Sequence, residues 1–329
     1  MIALKKGQYK WGFVCGRIDA LEARRLTKEF FTSLVSQTRT EDIFRLLQDT
    51  VLRDALAPGA AWDDFSGVVD RHFYEEMLSL RNDCPDPRIV DLFLLPGDYL
   101  NLKRAILHQH SFPFYPATLA AEKLAQVESG DRSALPPPLR DAVAALLDDH
   151  DETGHRAVMD IVLDGEYLRQ LLTMSAALNI PLVSAYVEDL VLARAVVVLW
   201  RVVRANPSMR VYQQYFLPIG KLTSLLNDVI ATPDPTEWGG VVKGTLGLRL
   251  QEAAEQSEEE QVPRFEQLVA NHLLEMSKRS QGQTFGPERV FGYLAALATE
   301  AYNLKLAVSG RTNRADTAVL RQRLRECHG

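Results

Sequence analysis

Apolar residues recur every three or four positions along most of this sequence, and no stretch shows a sustained apolar–polar alternation of β-branched residues. The clearest helical pattern runs from Gly286 to Gly310. Pro287 and Glu288 suit its first turn, and Gly310 is typical of a residue that ends a helix. One face of this helix is apolar, and its members are Val290, Leu294, Leu297, Ala301, Leu304 and Val308. The pattern predicts an all-α protein.

A polar signature of an acid, an amide and a base stands near the end of this helix and occurs twice more in the chain. Its three copies are Asp98-x-x-Asn101-x-Lys103, Asp189-x-x-Leu192-x-Arg194 and Glu300-x-x-Asn303-x-Lys305. The middle copy is weaker, because a leucine replaces the amide. Three copies of one helix predict a threefold internal repeat of similar helical bundles.

A second helix precedes each signature helix and repeats in the same order. The segment from Val68 to Leu78 aligns with the segment from Val162 to Leu172, which places Asp70 on Asp164. Four residues of the first copy correspond to four of the third, namely Phe65, Val69, His72 and Glu75 to Phe265, Val269, His272 and Glu275. Two signals in the same order favour a true repeat over chance similarity between amphipathic helices.

Proline, glycine and polar breaks divide the chain into three predicted repeats, at residues 1–112, 113–207 and 208–329. The boundaries are placed at the proline-rich loop after His110 and at Asn206-Pro207. Within them, Pro96-Gly97 predicts a break before a signature helix over 98–108. The segment 238–245, WGGVVKGT, is interpreted as a turn, and an arginine-rich helix is predicted over 316–327.

The spacing of the signature predicts where its side chains point. Residues three apart share a helix face, whereas residues five apart lie about 140° apart. The acid and the amide are therefore expected to contact one neighbour and the base another. We interpret the signature as polar contacts that fix helix packing, and we expect alanine at Asp98, Asp189 or Glu300 to lower stability.

The composition of the chain argues against several classes of function. The chain has 329 residues with a formal net charge of −6, which argues against binding to nucleic acid or to an anionic membrane surface. Three scattered cysteines predict reduced thiols in a cytosolic setting. The amino terminus lacks the long apolar region of a signal peptide. The apolar stretch 182–203 contains four charged residues, so we expect a buried helix and not a membrane span.

Motifs for chemistry are sparse. The sequence has no nucleotide-binding loop of the G-x-x-x-x-G-K-[ST] type, no H-E-x-x-H and no G-x-S-x-G. His108 with His110, and His150 with Asp151 and His155, are the crowded histidines. The second group could hold a divalent ion, and a helical metal-dependent hydrolase is one alternative, but acidic loops between helices are much commoner. We therefore predict a protein that is not an enzyme, with no catalytic residues, cofactor or metal.

The third copy of the signature also carries a family resemblance. The order Gly286-Pro287-Glu288, Gly292-Tyr293-Leu294, Glu300-x-x-Asn303-Leu304-Lys305 and Gly310 resembles the carboxy-terminal signature of the C-type subunits of prokaryotic V/A-type rotary ATPases, whose eukaryotic counterparts are the d-type subunits. The first copy and the segment 17–22 resemble earlier motifs of that family. The chain departs from the pattern at Leu192 and at residues 296–299, where the usual basic residue is missing.

The resemblance implies a funnel of three helical bundles about a pseudo-threefold axis. In the family, this funnel is a rotor component of the central stalk, at the cytoplasmic face of the membrane. Its implied partners are the shaft subunits of the ATP-hydrolysing head and the membrane ring of proteolipid subunits, and it binds no nucleotide itself. The resemblance leaves open whether the ion is a proton or sodium and whether ATP is made or consumed. The alternative is a stand-alone helical-repeat scaffold.

Overall fold

The structure is a computed structural model that describes residues 8–56, 65–106, 114–135, 152–205 and 219–327, together with residues 140, 141 and 144. These residues form fourteen α-helices and no strand, so the all-α prediction is confirmed. The helices are α1 (Gly12–Glu22), α2 (Lys28–Ser36), α3 (Thr40–Gln48), α4 (Phe65–Asp83), α5 (Arg88–Ile106), α6 (Ala121–Glu128), α7 (Glu152–Leu178), α8 (Pro181–Ala205), α9 (Thr223–Ala231), α10 (Trp238–Val242), α11 (Gly244–Ala254), α12 (Glu258–Lys278), α13 (Pro287–Thr312) and α14 (Thr317–Arg323). Short 3₁₀ helices are Gln8–Trp11, Arg132–Ala134, Gly220–Leu222, Pro235–Glu237 and Arg279–Gly282.

The chain divides into two compact units. Unit 1 comprises Met1–Leu94 and Ala270–Gly329, and unit 2 comprises Leu95–Val269. The division falls within α5 and α12. The three repeats predicted at 1–112, 113–207 and 208–329 describe sequence similarity and stay a prediction, because the predicted boundary loops lie outside the described residues.

Helix α13 is the centre of unit 1. All six residues of its predicted apolar face are buried, as are Phe291 and Tyr293 beside them. Helices α1, α2, α3, α4 and α14 pack against it. At Gly292 the packing is close, because a Cβ atom there would lie 1.6 Å from Oγ of Ser280. The periodicity of this segment therefore predicted its burial correctly.

The predicted end of α13 at Gly310 is wrong, because the helix continues to Thr312. Gly310 lies inside it and faces α14, where an added Cβ atom would meet Cδ2 of Leu320 at 2.3 Å. This glycine therefore permits close approach between two helices and does not terminate the first one.

The predicted helix break at Pro96-Gly97 is also wrong. Helix α5 is continuous from Arg88 to Ile106 with Pro96 inside it. A proline within a helix costs about 3 kcal/mol, since it removes a hydrogen bond and crowds the preceding turn. Buried residues on both sides of Pro96 offset that cost, namely Ile89, Val90, Leu92, Leu94, Leu95, Tyr99 and Leu102.

Unit 2 has an aromatic cluster in its core. The rings of Trp200 and Trp238 are 5.8 Å apart, and Phe265 lies 6.2 Å from Trp200. The segment 238–245, predicted as a turn, begins with the short helix α10 at Trp238. The turn itself lies within this segment at Lys243 and Gly244, where both φ angles are positive.

Glycines make the α10–α11 pair possible. A Cβ atom on Gly239 would lie 2.7 Å from the carbonyl oxygen of Gly247, and a Cβ atom on Gly247 would lie 2.5 Å from that of Gly239. Glycine at both positions therefore reflects backbone contact between two helices.

The carboxy-terminal helix is shorter than predicted, since α14 spans Thr317–Arg323 and the described chain beyond it is not helical. In the part of the chain that the structure describes, no helix has the length and apolarity needed to cross a membrane.

All three cysteines, Cys15, Cys84 and Cys327, have free thiols and belong to unit 1. Burial, together with the nearby Asp83 carboxylate, raises the pKa of Cys84 to about 12.

Candidate functional site

The first signature copy places its acid against the residues that directly precede helix α6. Asp98 is buried, and its two carboxylate oxygens accept hydrogen bonds of 2.6 Å from the Leu119 backbone N–H and from the Thr118 hydroxyl. A carboxylate that accepts hydrogen bonds from backbone and side chain fixes the path of that segment.

Asn101 holds the same segment by a bidentate contact with one backbone residue. Its Oδ1 accepts from the Tyr115 N–H at 2.9 Å, and its Nδ2 donates to the Tyr115 carbonyl at 2.8 Å. One buried side chain thus satisfies both polar groups of a residue outside any helix.

Lys103 points to a different neighbour. Its Nζ lies 2.9 Å from Asp164 and 3.1 Å from Asp160, both on helix α7. Burial lowers the pKa of Lys103, but the two carboxylates raise it more, so the net shift is upward. The lysine is therefore a charged link between α5 and α7.

The third copy places its acid in the interior of unit 1. Glu300 accepts a hydrogen bond of 3.2 Å from the Leu26 N–H, and Nε of Arg25 lies 3.5 Å away. Burial raises the pKa of Glu300 to about 7, although Arg25 and the Leu26 amide favour the ionised form. This carboxyl group is consequently far more easily protonated than an exposed glutamate.

Asn303 repeats the bidentate contact of the first copy. Its Oδ1 accepts from the Arg325 N–H and its Nδ2 donates to the Arg325 carbonyl, both at 3.0 Å. Lys305 pairs with Asp70 on helix α4 at 2.6 Å. The contact with Arg325 accounts for the nonhelical chain after α14, since it engages the backbone groups that a longer helix would use.

The middle copy makes a different set of contacts. Nη1 of Arg194 donates to the Tyr167 hydroxyl at 3.0 Å, and its guanidinium carbon lies 5.4 Å from the centre of that ring. Leu192 is buried and has no polar group with which to hold a backbone residue. Asp189 is half-buried on the same helix.

A comparison of the sequence with descriptions of protein families matches residues 14–323 to the ATP synthase (C/AC39) subunit. The chain belongs to this family. The resemblance to the C-type subunits of V/A-type ATPases is therefore confirmed over nearly the whole sequence. A comparison with curated proteins finds no significant match.

In this member of the C/AC39 family, the signature residues of the first and third copies contact backbone groups and charged side chains of neighbouring segments. The acids of the first and third copies accept hydrogen bonds from backbone N–H groups, the asparagines hold backbone residues, and the lysines are paired. Asn303 also donates to Sγ of Cys327 at 3.4 Å, but burial raises the pKa of that thiol, which makes it a poor nucleophile. The arrangement can fix helices and the segments beside them at defined positions.

Sequence reasoning did not identify the partners of the two lysines, Asp70 and Asp164. A signal was available, because these two acids occupy aligned positions in the repeated helix that precedes the signature. Arg25, Tyr115 and Arg325 carry no motif, and only the fold shows them.

The remaining candidates contribute no site to the described structure. His108, His110, His150 and Asp151 lie outside the described residues, as does the side chain of His155. Among the residues that are described, no group of three or more histidine, cysteine, aspartate or glutamate side chains could hold a metal ion.

Proposed function

We propose that this chain is a non-catalytic component of the central stalk of a V/A-type rotary ATPase, where it couples the shaft of the ATP-hydrolysing head to the ion-translocating ring in the membrane. The observation that carries the proposal is the family match over residues 14–323. A rotor component that transmits torque needs stiffness and no chemistry of its own. The buried and hydrogen-bonded signature residues are consistent with that requirement.

The proposed architecture is a funnel of three similar helical bundles. Two salt bridges support it, since Lys103 of the first signature pairs with Asp164 of the second repeat, and Lys305 of the third pairs with Asp70 of the first. A cyclic arrangement of repeats would produce this succession. A third salt bridge of this kind would join Arg194 of the second signature to the third repeat. The sequence does not provide its acid, because the position aligned with Asp70 in the third repeat is Ala270.

The proposed partners are the shaft subunits on one side and the proteolipid ring on the other. In this role the chain lies at the cytoplasmic face of the membrane and is held there by protein contacts. It binds neither nucleic acid nor nucleotide. The net charge of −6 supports contacts with protein more than contacts with anionic lipid or nucleic acid.

A tagged copy of the chain, purified from gently solubilised membranes of its own organism, tests this function. We expect the shaft subunits and a small, very apolar ring protein to co-purify, as identified by mass spectrometry. A tagged unrelated helical protein provides the control. If neither partner is recovered from membranes whose ATPase is intact, the coupling role is wrong and the helical-repeat scaffold becomes the better interpretation.

Coupling can be tested separately from assembly. Membrane vesicles that contain the complex would be assayed for ATP hydrolysis and for ATP-driven ion uptake. Removal of the chain is expected to abolish ion uptake while hydrolysis by the head continues. Ion uptake that persists at its original ratio to hydrolysis, without this chain, would contradict the proposal.

A further inference from the structure

The segment 324–327, which follows helix α14, lies against three side chains of unit 1. Tyr302 and Asn303 belong to α13, and Asn271 belongs to the part of α12 that unit 1 contains. We call these three residues the asparagine clamp. Leu324, at the start of the segment, has a φ of −59° and a ψ of 132°, so the chain enters the clamp in an extended conformation.

The asparagine clamp holds the segment mainly by its backbone. Oδ1 of Asn303 accepts a hydrogen bond from the Arg325 N–H, and Nδ2 donates to the Arg325 carbonyl, both at 3.0 Å. Oδ1 of Asn271 accepts from the Glu326 N–H at 3.3 Å. Every residue except proline offers both of these backbone groups, so the hydrogen bonds do not depend on which chain supplies the segment.

One side chain of the segment makes a contact that does depend on sequence. The guanidinium carbon of Arg325 lies 3.4 Å from the centre of the Tyr302 ring, which is a cation–π contact. In peptide recognition, hydrogen bonds to the main chain supply affinity, and contacts with individual side chains supply selectivity. The asparagine clamp is therefore suited to an extended segment that carries an arginine at the position of Arg325.

The clamp is buried, whereas the segment in it is not. Asn303 is 0% exposed, and the hydrogen bonds of its side chain to described residues all go to the segment. No residue of 324–327 is buried, and the nearest buried apolar residue before it is Leu320 on α14. The segment can therefore leave without opening the core, but the Asn303 amide then needs another backbone to bind.

We propose that the asparagine clamp is a binding site for an extended, arginine-containing segment of a partner protein, which displaces the segment 324–327. Exchange with the same segment of a second copy would replace each contact by an identical one, while association costs translational freedom. A different protein can add contacts of its own beyond the clamp. Displacement also uncovers the Cys327 thiol, which is half-buried when the segment is bound.

A full-length chain with Arg325→Pro tests the site directly, because this change removes the N–H and the guanidinium that the clamp binds. The probe is a fluorescent peptide of residues 321–327 with Cys327→Ser. Fluorescence anisotropy should show saturable binding to this variant. Apparent binding to the unsubstituted chain should be about tenfold weaker, because its own segment competes at an effective concentration of about millimolar.

A second substitution in the Arg325→Pro chain shows whether the peptide occupies the clamp. We expect Asn303→Leu to abolish peptide binding, because it removes both hydrogen bonds to the backbone of the peptide. Asn313→Leu is the matched control, since Asn313 is exposed and makes no contact with the segment, and it should leave binding unchanged. Thermal unfolding of each variant, measured alongside, shows that it is folded.

The unsubstituted chain provides a second measurement, because labelling of Cys327 measures displacement. The peptide should raise the rate at which a maleimide labels Cys327, and the rise should saturate. A peptide with Arg325→Pro is the control and should have no effect. No saturable binding to the Arg325→Pro chain, or equal effects of the two peptides, would overturn the proposal. A dimer of the unsubstituted chain that Arg325→Pro abolishes would also overturn it, because a second copy would then be the occupant.

Discussion

Asn101 and Asn303 make the same contact at two places in the chain. Each is buried and satisfies both backbone groups of one residue that lies outside any helix. Removing a hydrogen-bonding side chain from such a contact costs about 1–3 kcal/mol. The two residues therefore fix the path of the chain beside the signature helices.

Replacing Asn303 with leucine, the residue that the middle copy carries at position 192, tests this contact. We expect the free energy of unfolding to fall by about 1–3 kcal/mol, because the Arg325 backbone loses both hydrogen bonds to the Asn303 side chain. Urea unfolding measures the change, and hydrogen exchange at the Arg325 amide should accelerate. Asn313→Leu is the control, since Asn313 is exposed, and a similar loss in that variant would contradict the explanation.

Glu300 makes stability depend on pH in an unusual direction. Its pKa is raised from the ordinary 4.5 to about 7 in the folded chain, mainly by burial, so the folded state binds the proton more tightly. Stability from this group is fully present below the unfolded pKa and is lost as the pH rises from 4.5 to about 7. The loss amounts to roughly 3 kcal/mol at most.

The variant Glu300→Gln isolates this effect, because glutamine does not titrate. We expect the wild-type chain to lose stability relative to the variant between about pH 5 and 7, in the window that the two pKa values define. Chemical denaturation of both proteins across this range measures the difference. A constant difference would show that the carboxyl group does not change its protonation there.

Among the elements, α13 shows how glycines set the distance between helices. At Gly292 an added methyl group would meet Ser280 and the carbonyl oxygen of Ser277, which cannot move easily. At Gly310 the nearest atoms belong to the flexible end of Leu320. The first position should therefore tolerate substitution much less than the second.

We expect Gly292→Ala to lower the free energy of unfolding by about 1–3 kcal/mol and Gly310→Ala to lower it less. Gly16→Ala is the comparison, because Gly16 lies in α1 with nothing within 4 Å of an added Cβ atom. There, the higher helix propensity of alanine should raise stability by about 0.5–1 kcal/mol. Thermal and urea unfolding of the three variants give the order, and a reversed order would refute the packing argument.

The sequence predicts a helix well where the pattern of residues within that helix determines its structure, and poorly where contacts with distant residues do. The buried face of α13 follows from its periodicity, and the polar signature shows which positions depart from it. Pro96 and Gly310 misled the prediction of helix ends, because packing overrides the local preference of a proline or glycine. The partners of Asn101 and Asn303 were not predictable, since a contact with backbone leaves no mark on the partner's side chain.

At the scale of the whole molecule, all three cysteines lie in unit 1, so the reactivity of their thiols measures the unfolding of unit 1 and not of unit 2. Burial raises the pKa of all three, so none forms a reactive thiolate readily, but Cys327 is partly exposed whereas Cys15 and Cys84 are buried. We expect a maleimide reagent to label Cys327 slowly in the folded chain, and to label the other two only when unit 1 unfolds. Mass spectrometry after labelling at increasing urea concentrations measures this, and rapid native labelling of Cys84 would contradict it.

The position of the thiols also makes it possible to label the chain with a fluorophore at a single chosen site. Replacing Cys327 with serine would leave two thiols that react poorly, and unit 2 contains no cysteine at all. Leu248 on α11 is 65% exposed, so Leu248→Cys would add a single accessible handle in unit 2. A fluorophore attached there would let turning of the proposed rotor be followed by polarisation microscopy, one complex at a time.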